Sequence, residues 1–321
     1  MGVIIPLITF PYSSRVLGPE ALGKVDYAQA NMTYFTLLQA FGIGGYAIRE
    51  GARIRDDRKK MDEFASDMLS INLITSAIAY ILFFAALAIP KLAGYRTLML
   101  LFSTTIILST IGVEWLYNIY EEYQYITIRS FIFQIISVVM LFTCVKSEDD
   151  YMIYALTMVI SSVGSNIMNF IRARKYVKFK LRISKKLRIH LKPMSYIFLL
   201  DVASAVYLVM DRSMLGYITG DDTEVGLYAA AIKIASVLTS FFSALYAVIR
   251  PRVAYMMERD EEQAENLNDL TARLILLFKY SDGDWHVLSE SAGAAFVCGQ
   301  QISGCNIYDA GVDVECYRCN L

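Results

Sequence analysis

The sequence predicts an all-α fold, a polytopic transmembrane helical bundle that crosses a bilayer about eight times. Three observations carry this. Of 321 residues 56% are hydrophobic and 19% charged, with mean hydropathy +0.42, a balance too apolar for a surface in water. Apolar stretches of the length needed to cross hydrocarbon as helix, about 20 residues, recur along the chain. The charges are gathered between those stretches, so the net charge of −1 says nothing of partners while its segregation does.

Taken in order, Met1 runs straight into Val3-Ile4-Ile5-Pro6-Leu7-Ile8 without a basic region or small-residue cleavage site, so no secretory signal is expected and the first span reads as clipped. Residues 67 to 90, 95 to 118, 127 to 146, 151 to 171 and 225 to 249 are the clearest spans. Residues 25 to 48 and 193 to 217 are as long but carry Asp26, Asp201, Asp211 and Arg212, which marks them as spans lining something polar. Trp115, Tyr117, Tyr120, Tyr123 and Tyr125 at span ends fit an interfacial aromatic belt.

Loop charge orients the bundle. Positive charge resists translocation, and the segments around residues 49 to 60, 129, 172 to 192 and 250 to 259 hold twenty Lys and Arg against five in the alternate loops. The basic loops are therefore cytoplasmic, and the turns at Lys146-Ser147-Glu148-Asp149-Asp150 and Gly220-Asp221-Asp222 lie outside, in a multi-pass protein of the plasma or inner membrane. The 172 to 192 loop has only Tyr176 and Phe179 among its cations and sits between spans, which makes it a topology determinant and excludes a nucleic-acid partner.

An internal repeat underlies the count. Arg15-Val16-Leu17-Gly18, Val25-Asp26-Tyr27-Ala28 and Tyr46-Ala47-Ile48-Arg49 return as Arg212-Ser213-Met214-Leu215-Gly216, Val225-Gly226-Leu227-Tyr228-Ala229 and Tyr246-Ala247-Val248-Ile249-Arg250. Spans one and two thus match seven and eight. The expected organisation is a six-span lobe over 1–192, the start of a second lobe over 193–279, and a non-membrane tail over 280–321.

These residues carry a resemblance. Pro6-Leu7-Ile8-Thr9-Phe10-Pro11-Tyr12, Ser14-Arg15-Val16-Leu17-Gly18-Pro19-Glu20-Ala21-Leu22-Gly23 and Tyr46-Ala47-Ile48-Arg49-Glu50-Gly51 resemble the start of a Wzx-type polysaccharide flippase, in the superfamily of MATE-type antiporters and the lipid II flippase, over residues 1 to 279. The resemblance implies a two-lobed MATE-like architecture, here with the second lobe incomplete. It also implies a substrate, polyprenyl-diphosphate-linked oligosaccharide moved from the cytoplasmic to the outer leaflet by alternating access for surface polysaccharide export, and a polysaccharide polymerase as a possible partner.

The tail departs from that pattern. After Leu276-Leu277-Phe278-Lys279 the chain becomes Tyr280-Ser281-Asp282-Gly283-Asp284-Trp285, and codons for these six residues read one base later permit an apolar Ile-Pro-Met-Ala-Ile-Gly, so a frameshift is expected. Cys298, Cys305, Cys316 and Cys319 offer four thiolates, but the first two are separated by six residues, outside zinc-ribbon spacing, and no metal or other cofactor is expected.

Charges inside spans are the site candidates, because each costs at least about 2.5 kcal/mol at the bilayer centre and faces a bundle interior or wet cavity. Lys233 and Asp201 lie at similar depth and are expected to pair. Arg15 and Arg212 hold matching places in the two copies, where forked donors suit a diphosphate, and the resemblance implies a cavity role for the Ser-Arg-Val-Leu-Gly arginine. Asp211 is expected to neutralise Arg212. Asp26 opens the second span, where it caps, pairs with Arg15 or couples transport to protons. Glu114 is interfacial or gating, and Arg49 and Arg250 end matching spans at the inner face, where they serve topology or attract an anionic substrate.

No catalytic constellation is present, so the expected protein is not an enzyme. The rival readings are a MATE-type drug or ion antiporter, marked by an acidic instead of a basic cavity, and a membrane-embedded glycosyltransferase or polymerase, which needs a large polar loop with paired carboxylates.

Overall fold

The computed structural model describes residues 4–180, 187–233 and 235–236, all within one compact unit spanning Met1–Val237. Every described element is helical. The chain runs α1 (Ile4–Ala40), α2 (Ile43–Ile54), α3 (Arg58–Ala86), α4 (Arg96–Gly112), α5 (Glu114–Ile119), α6 (Tyr123–Cys144), α7 (Tyr151–Val163), α8 (Asn166–Ala173), α9 (Leu187–Thr219) and α10, which begins at residue 222. The 280–321 tail, its cysteines and Arg250 lie outside the described residues.

Five segments among the described residues are long and apolar enough to cross a membrane: Arg58–Ala86, Pro90–Ile119, Tyr123–Cys144, Glu148–Ala173 and Leu187–Thr219. They correspond to five of the eight expected spans. Most of the 225 to 249 span falls outside the description. The remaining two are the halves of α1, which breaks at Gly18, where φ 69° and ψ 172° define a backbone region essentially reserved for glycine. Pro19 then restarts the helix in the position proline favours. The second half carries Asp26, Gln29, Asn31 and Gln39 because α1 is the central helix, packed against α3, α4, α7 and α9 instead of lipid.

That interior is stitched by polar groups, as it must be where water is absent. The Gln39 amide donates to Asn72 Oδ1 at 2.7 Å, Thr75 donates to the Gln39 carbonyl at 2.7 Å, and the Ser76 and Thr110 hydroxyls meet at 2.5 Å. Two apolar clusters surround this layer, one around Leu17, Val25, Met99 and Ile106, the other around Phe64, Met68, Leu116 and Met194. The outward faces stay apolar, with Ile128, Ile132, Ile135 and Val139 on α6 and Leu199, Leu200 and Ile218 on α9 all exposed.

Several boundaries differ from the sequence reading. The span expected over 25 to 48 stops at Ala40, because Phe41 and Gly42 both take positive φ, and Tyr46 to Arg49 lie on the separate α2. The 95 to 118 span breaks at Val113, also left-handed, and the 151 to 171 span breaks between α7 and α8. Trp115 and Tyr117 are core residues and not an interfacial belt: Tyr117 is fully buried and donates to the Asn169 carbonyl. Tyr123 is exposed.

The turns follow local chemistry. Asp57 caps α3 by accepting from the Lys59 and Lys60 amides, and those bonds hold its carboxyl below the usual range. The expected 146 to 150 turn forms through Asp150, which accepts from the Lys146 and Ser147 amides and the Ser147 hydroxyl. Gly18→Ala forces a Cβ into φ 69° and is expected to cost about 1–3 kcal/mol; a lowered thermal midpoint of the detergent-purified protein checks this, and an unchanged midpoint contradicts it.

Candidate transport site

The repeat-related helices α1 and α10 cross with no side chain between them. A Cβ on Gly23 would stand 1.7 Å from the Asp222 carbonyl oxygen, and one on Gly226 1.9 Å from that of Pro19, so both positions require glycine. Around this crossing the Tyr27 ring covers Gly216, Tyr95 donates to Asp222 Oδ1 at 2.5 Å, and Lys91 donates to the Tyr217 carbonyl at 3.1 Å while sitting over that ring. Burial pushes the Asp222 carboxyl up, with the Tyr95 hydrogen bond opposing.

One step deeper, Lys233 Nζ lies 3.3 Å from Asp26 Oδ2 and 3.4 Å from Oδ1. Asp26 is 3% exposed and Lys233 28%. At about 1.5 Å per residue Asp26 is about 4.5 Å below Gly23 and Lys233 about 10.5 Å below Gly226. Helical side chains lean toward their own N-terminus, so the four-carbon stem of lysine reaches back over the difference. Phe10 presents its ring 5.4 Å from the ammonium, and the Tyr154 hydroxyl of α7 faces the same group.

This corrects two expected pairings. Lys233 joins Asp26 and not Asp201, which is exposed on α9 without an ion pair among the described residues. Asp26 does not pair with Arg15, which is exposed beside the Gly18 break and has no ion-pair partner among the described residues. Depth along a helix is legible in sequence, whereas which face meets which neighbour is not.

The other candidates separate. Arg212 Nη2 donates to the Leu208 carbonyl at 3.3 Å, and its buried Nε has no hydrogen-bond partner among the described residues. Its neighbour Asp211 accepts from Tyr228, at 2.5 Å, instead of neutralising the guanidinium. Arg49 lies on α2 with its Nε 3.2 Å from Glu50. Glu114 opens α5, and its Oε1 is 3.6 Å from Arg129 Nη2.

Arg129, expected as a loop charge, is 4% exposed, and its buried Nε and Nη1 have no hydrogen-bond partner among the described residues. The available signal was a lone cation inside the apolar run Thr127-Ile128-Arg129-Ser130-Phe131. Near it Arg172 stacks 3.9 Å over Tyr125 and donates to Glu122 at 2.7 Å, and Tyr176 also donates to Glu122. His190, read as part of a loop, instead begins α9, where its Nδ1 is 2.8 Å from the Tyr46 hydroxyl and its Nε2 3.8 Å from Asp67. With Phe41 stacked on Phe198 at 4.9 Å, these contacts join the N-terminal part of α9 to α2 and α3.

The family described as polysaccharide biosynthesis protein matches residues 1–257. The chain belongs to that family. Relatives named "Putative O-antigen transporter" are 24% identical over 258 residues in Escherichia coli (strain K12) and 23% identical over 253 residues in Shigella dysenteriae. The matches cover 78% of this chain and 61% and 63% of those proteins, so the chain spans about three fifths of their length. No solved structure matches it.

Two predictions arise from the crossing. Gly226→Ala drives α1 and α10 apart and is expected to destabilise by about 1–3 kcal/mol, read as a lower thermal midpoint, with an unchanged midpoint as the contrary result. Because folding raises the Asp222 pKa, the contribution of this carboxyl is full below its unfolded value of about 3.9 and is lost as pH rises through the raised one. Relative to Asp222→Asn, the unmodified chain should therefore lose stability as pH rises from about 4 to 7; parallel curves contradict the assignment.

Proposed function

We propose that this chain acts in the export of surface polysaccharide as a flippase, carrying polyprenyl-diphosphate-linked oligosaccharide from the cytoplasmic to the outer leaflet by alternating access. The family membership and the names of the relatives support the general role. The observation that carries the mechanism is the Asp26–Lys233 pair, a buried charge contact joining helices that the internal repeat relates. Two lobes, 1–192 and 193–279, rock against each other, and the α1 and α10 glycine crossing with its Tyr95–Asp222 and Lys91–Tyr217 clasps is the outer gate that opens. Lys233, released from Asp26, meets the anionic head group, and Arg15, Arg212, Arg49 and Arg250 add positive charge along its path. Asp211 and Glu114, paired with Tyr228 and Arg129, are structural. The site is a membrane one, with basic loops cytoplasmic, and a polysaccharide polymerase is the expected partner downstream.

A MATE-type antiporter is the second reading, favoured by the acidity of Asp26. The test is surface display of a lipid-linked glycan in flippase-deficient cells expressing this chain, beside Lys233→Met and Arg15→Ala. Restored display that Lys233→Met abolishes and Arg15→Ala reduces is expected. Small-cation efflux without glycan display would move the assignment to an antiporter.

A further inference from the structure

We infer that a groove at the cytoplasmic end of α8 is a binding site for an anionic glycerophospholipid of the inner leaflet, separate from the transport site. The groove is lined by Phe170, Arg174, Val177, Lys178 and Phe179 and encloses about 370 Å³. Its apolar wall is built, since the rings of Phe170 and Phe179 stack at 5.9 Å with an interplanar angle of 16°. The Arg174 guanidinium sits 5.3 Å over Phe170, a placement that keeps a cation beside an apolar surface.

Three features specify the occupant. Arg174 and Lys178 have no acidic ion-pair partner among the described residues; Asp62, the carboxylate nearby, accepts the backbone N–H of Lys178 at 2.9 Å. Ile167, Phe170, Ile171 and Arg174 fall at spacings of three, four and seven residues and so share one helix face. On that face Ile167 is 52% and Ile171 67% exposed, an apolar track that runs from the membrane-crossing part of the chain up to the two cations. Acyl chain along Ile167 and Ile171 with phosphate oxygens at Arg174 and Lys178 matches this gradient, whereas a free phosphate has no use for the track. Arg172 points to the other side of α8, where Glu122 occupies it.

The test is native mass spectrometry of the full chain with phosphatidylglycerol and phosphatidylcholine. Phosphatidylglycerol is expected to be retained preferentially, about tenfold less by R174Q/K178Q, and undiminished by K175Q, which removes an adjacent cation that does not line the groove. Both cations of the double variant are exposed, so its thermal midpoint should match that of the unmodified chain. A loss in K175Q equal to that in the double variant makes the attraction diffuse and overturns the site. So does retention of phosphatidylglycerol by R174Q/K178Q. Displacement by millimolar inorganic phosphate assigns the groove to a free anion, and displacement by equimolar polyprenyl phosphate assigns it to the carrier lipid; either result overturns the phospholipid reading.

Discussion

A carboxylate and an ammonium buried within a helical bundle constrain everything around them. Asp26 is almost wholly buried, and an isolated charge at that depth costs several kcal/mol, so its neighbours are arranged to supply a counter-charge. The counter-charge comes from a helix about two hundred residues away in sequence. Reaching it requires that α1 and α10 touch, which is why the crossing point is glycine on both helices. The Gly18 break sets the direction from which α1 arrives, and the α3, α4 and α7 packing holds that helix away from lipid. A pair of this kind contributes little net stability, because the desolvation of both ions offsets their attraction. What it does provide is a contact that is cheap while intact and costly when one partner is lost, a property suited to a two-state element.

Much of the helical layout was legible. Apolar runs of membrane-crossing length marked α3, α4, α6, α7 with α8, and α9, and the acidic turn between α6 and α7 announced itself through Ser147 and Asp150. Asp26, expected on a span lining something polar, sits on a central helix packed against α3, α4, α7 and α9, whereas Asp201, expected on a span of the same kind, is exposed. The interruptions were not legible, because Phe41, Val113 and Glu121 adopt left-handed backbone that their side chains disfavour, so tertiary packing and not local preference sets them. Nor were the pairings. Lys233 and Asp201 are expected at comparable depth from spans over 193 to 217 and 225 to 249, but α9 extends over Leu187–Thr219, and sequence spacing leaves the neighbour undetermined. Arg129 was hidden for the reverse reason: a cation at a span end passes for a topology signal, and only its burial beside Glu114 of α5 distinguishes it.

The breaks and the buried charges occur together. Val113 at φ 37° immediately precedes Glu114, whose carboxylate meets the buried Arg129, and Glu121 at φ 56° precedes Glu122, which takes Arg172 and Tyr176. Strained backbone at these two points places acidic side chains against cations, one the buried Arg129 and the other the more exposed Arg172. The end of the bundle at α5, α8 and the start of α9 thus holds its shape through charge pairs and aromatic stacking, and the end at the α1 and α10 crossing through close backbone contact at glycine. This difference gives the two faces distinct ways of coming apart.

The most direct measurement is a charge exchange, Asp26→Lys with Lys233→Asp, compared with each single change for both thermal stability and glycan display. If the pair is the contact between the repeat-related helices, each single change places like charges together and lowers the midpoint sharply, while the exchange recovers most of the loss. Failure of the exchange to recover stability, or single changes as stable as the unmodified chain, would contradict the account.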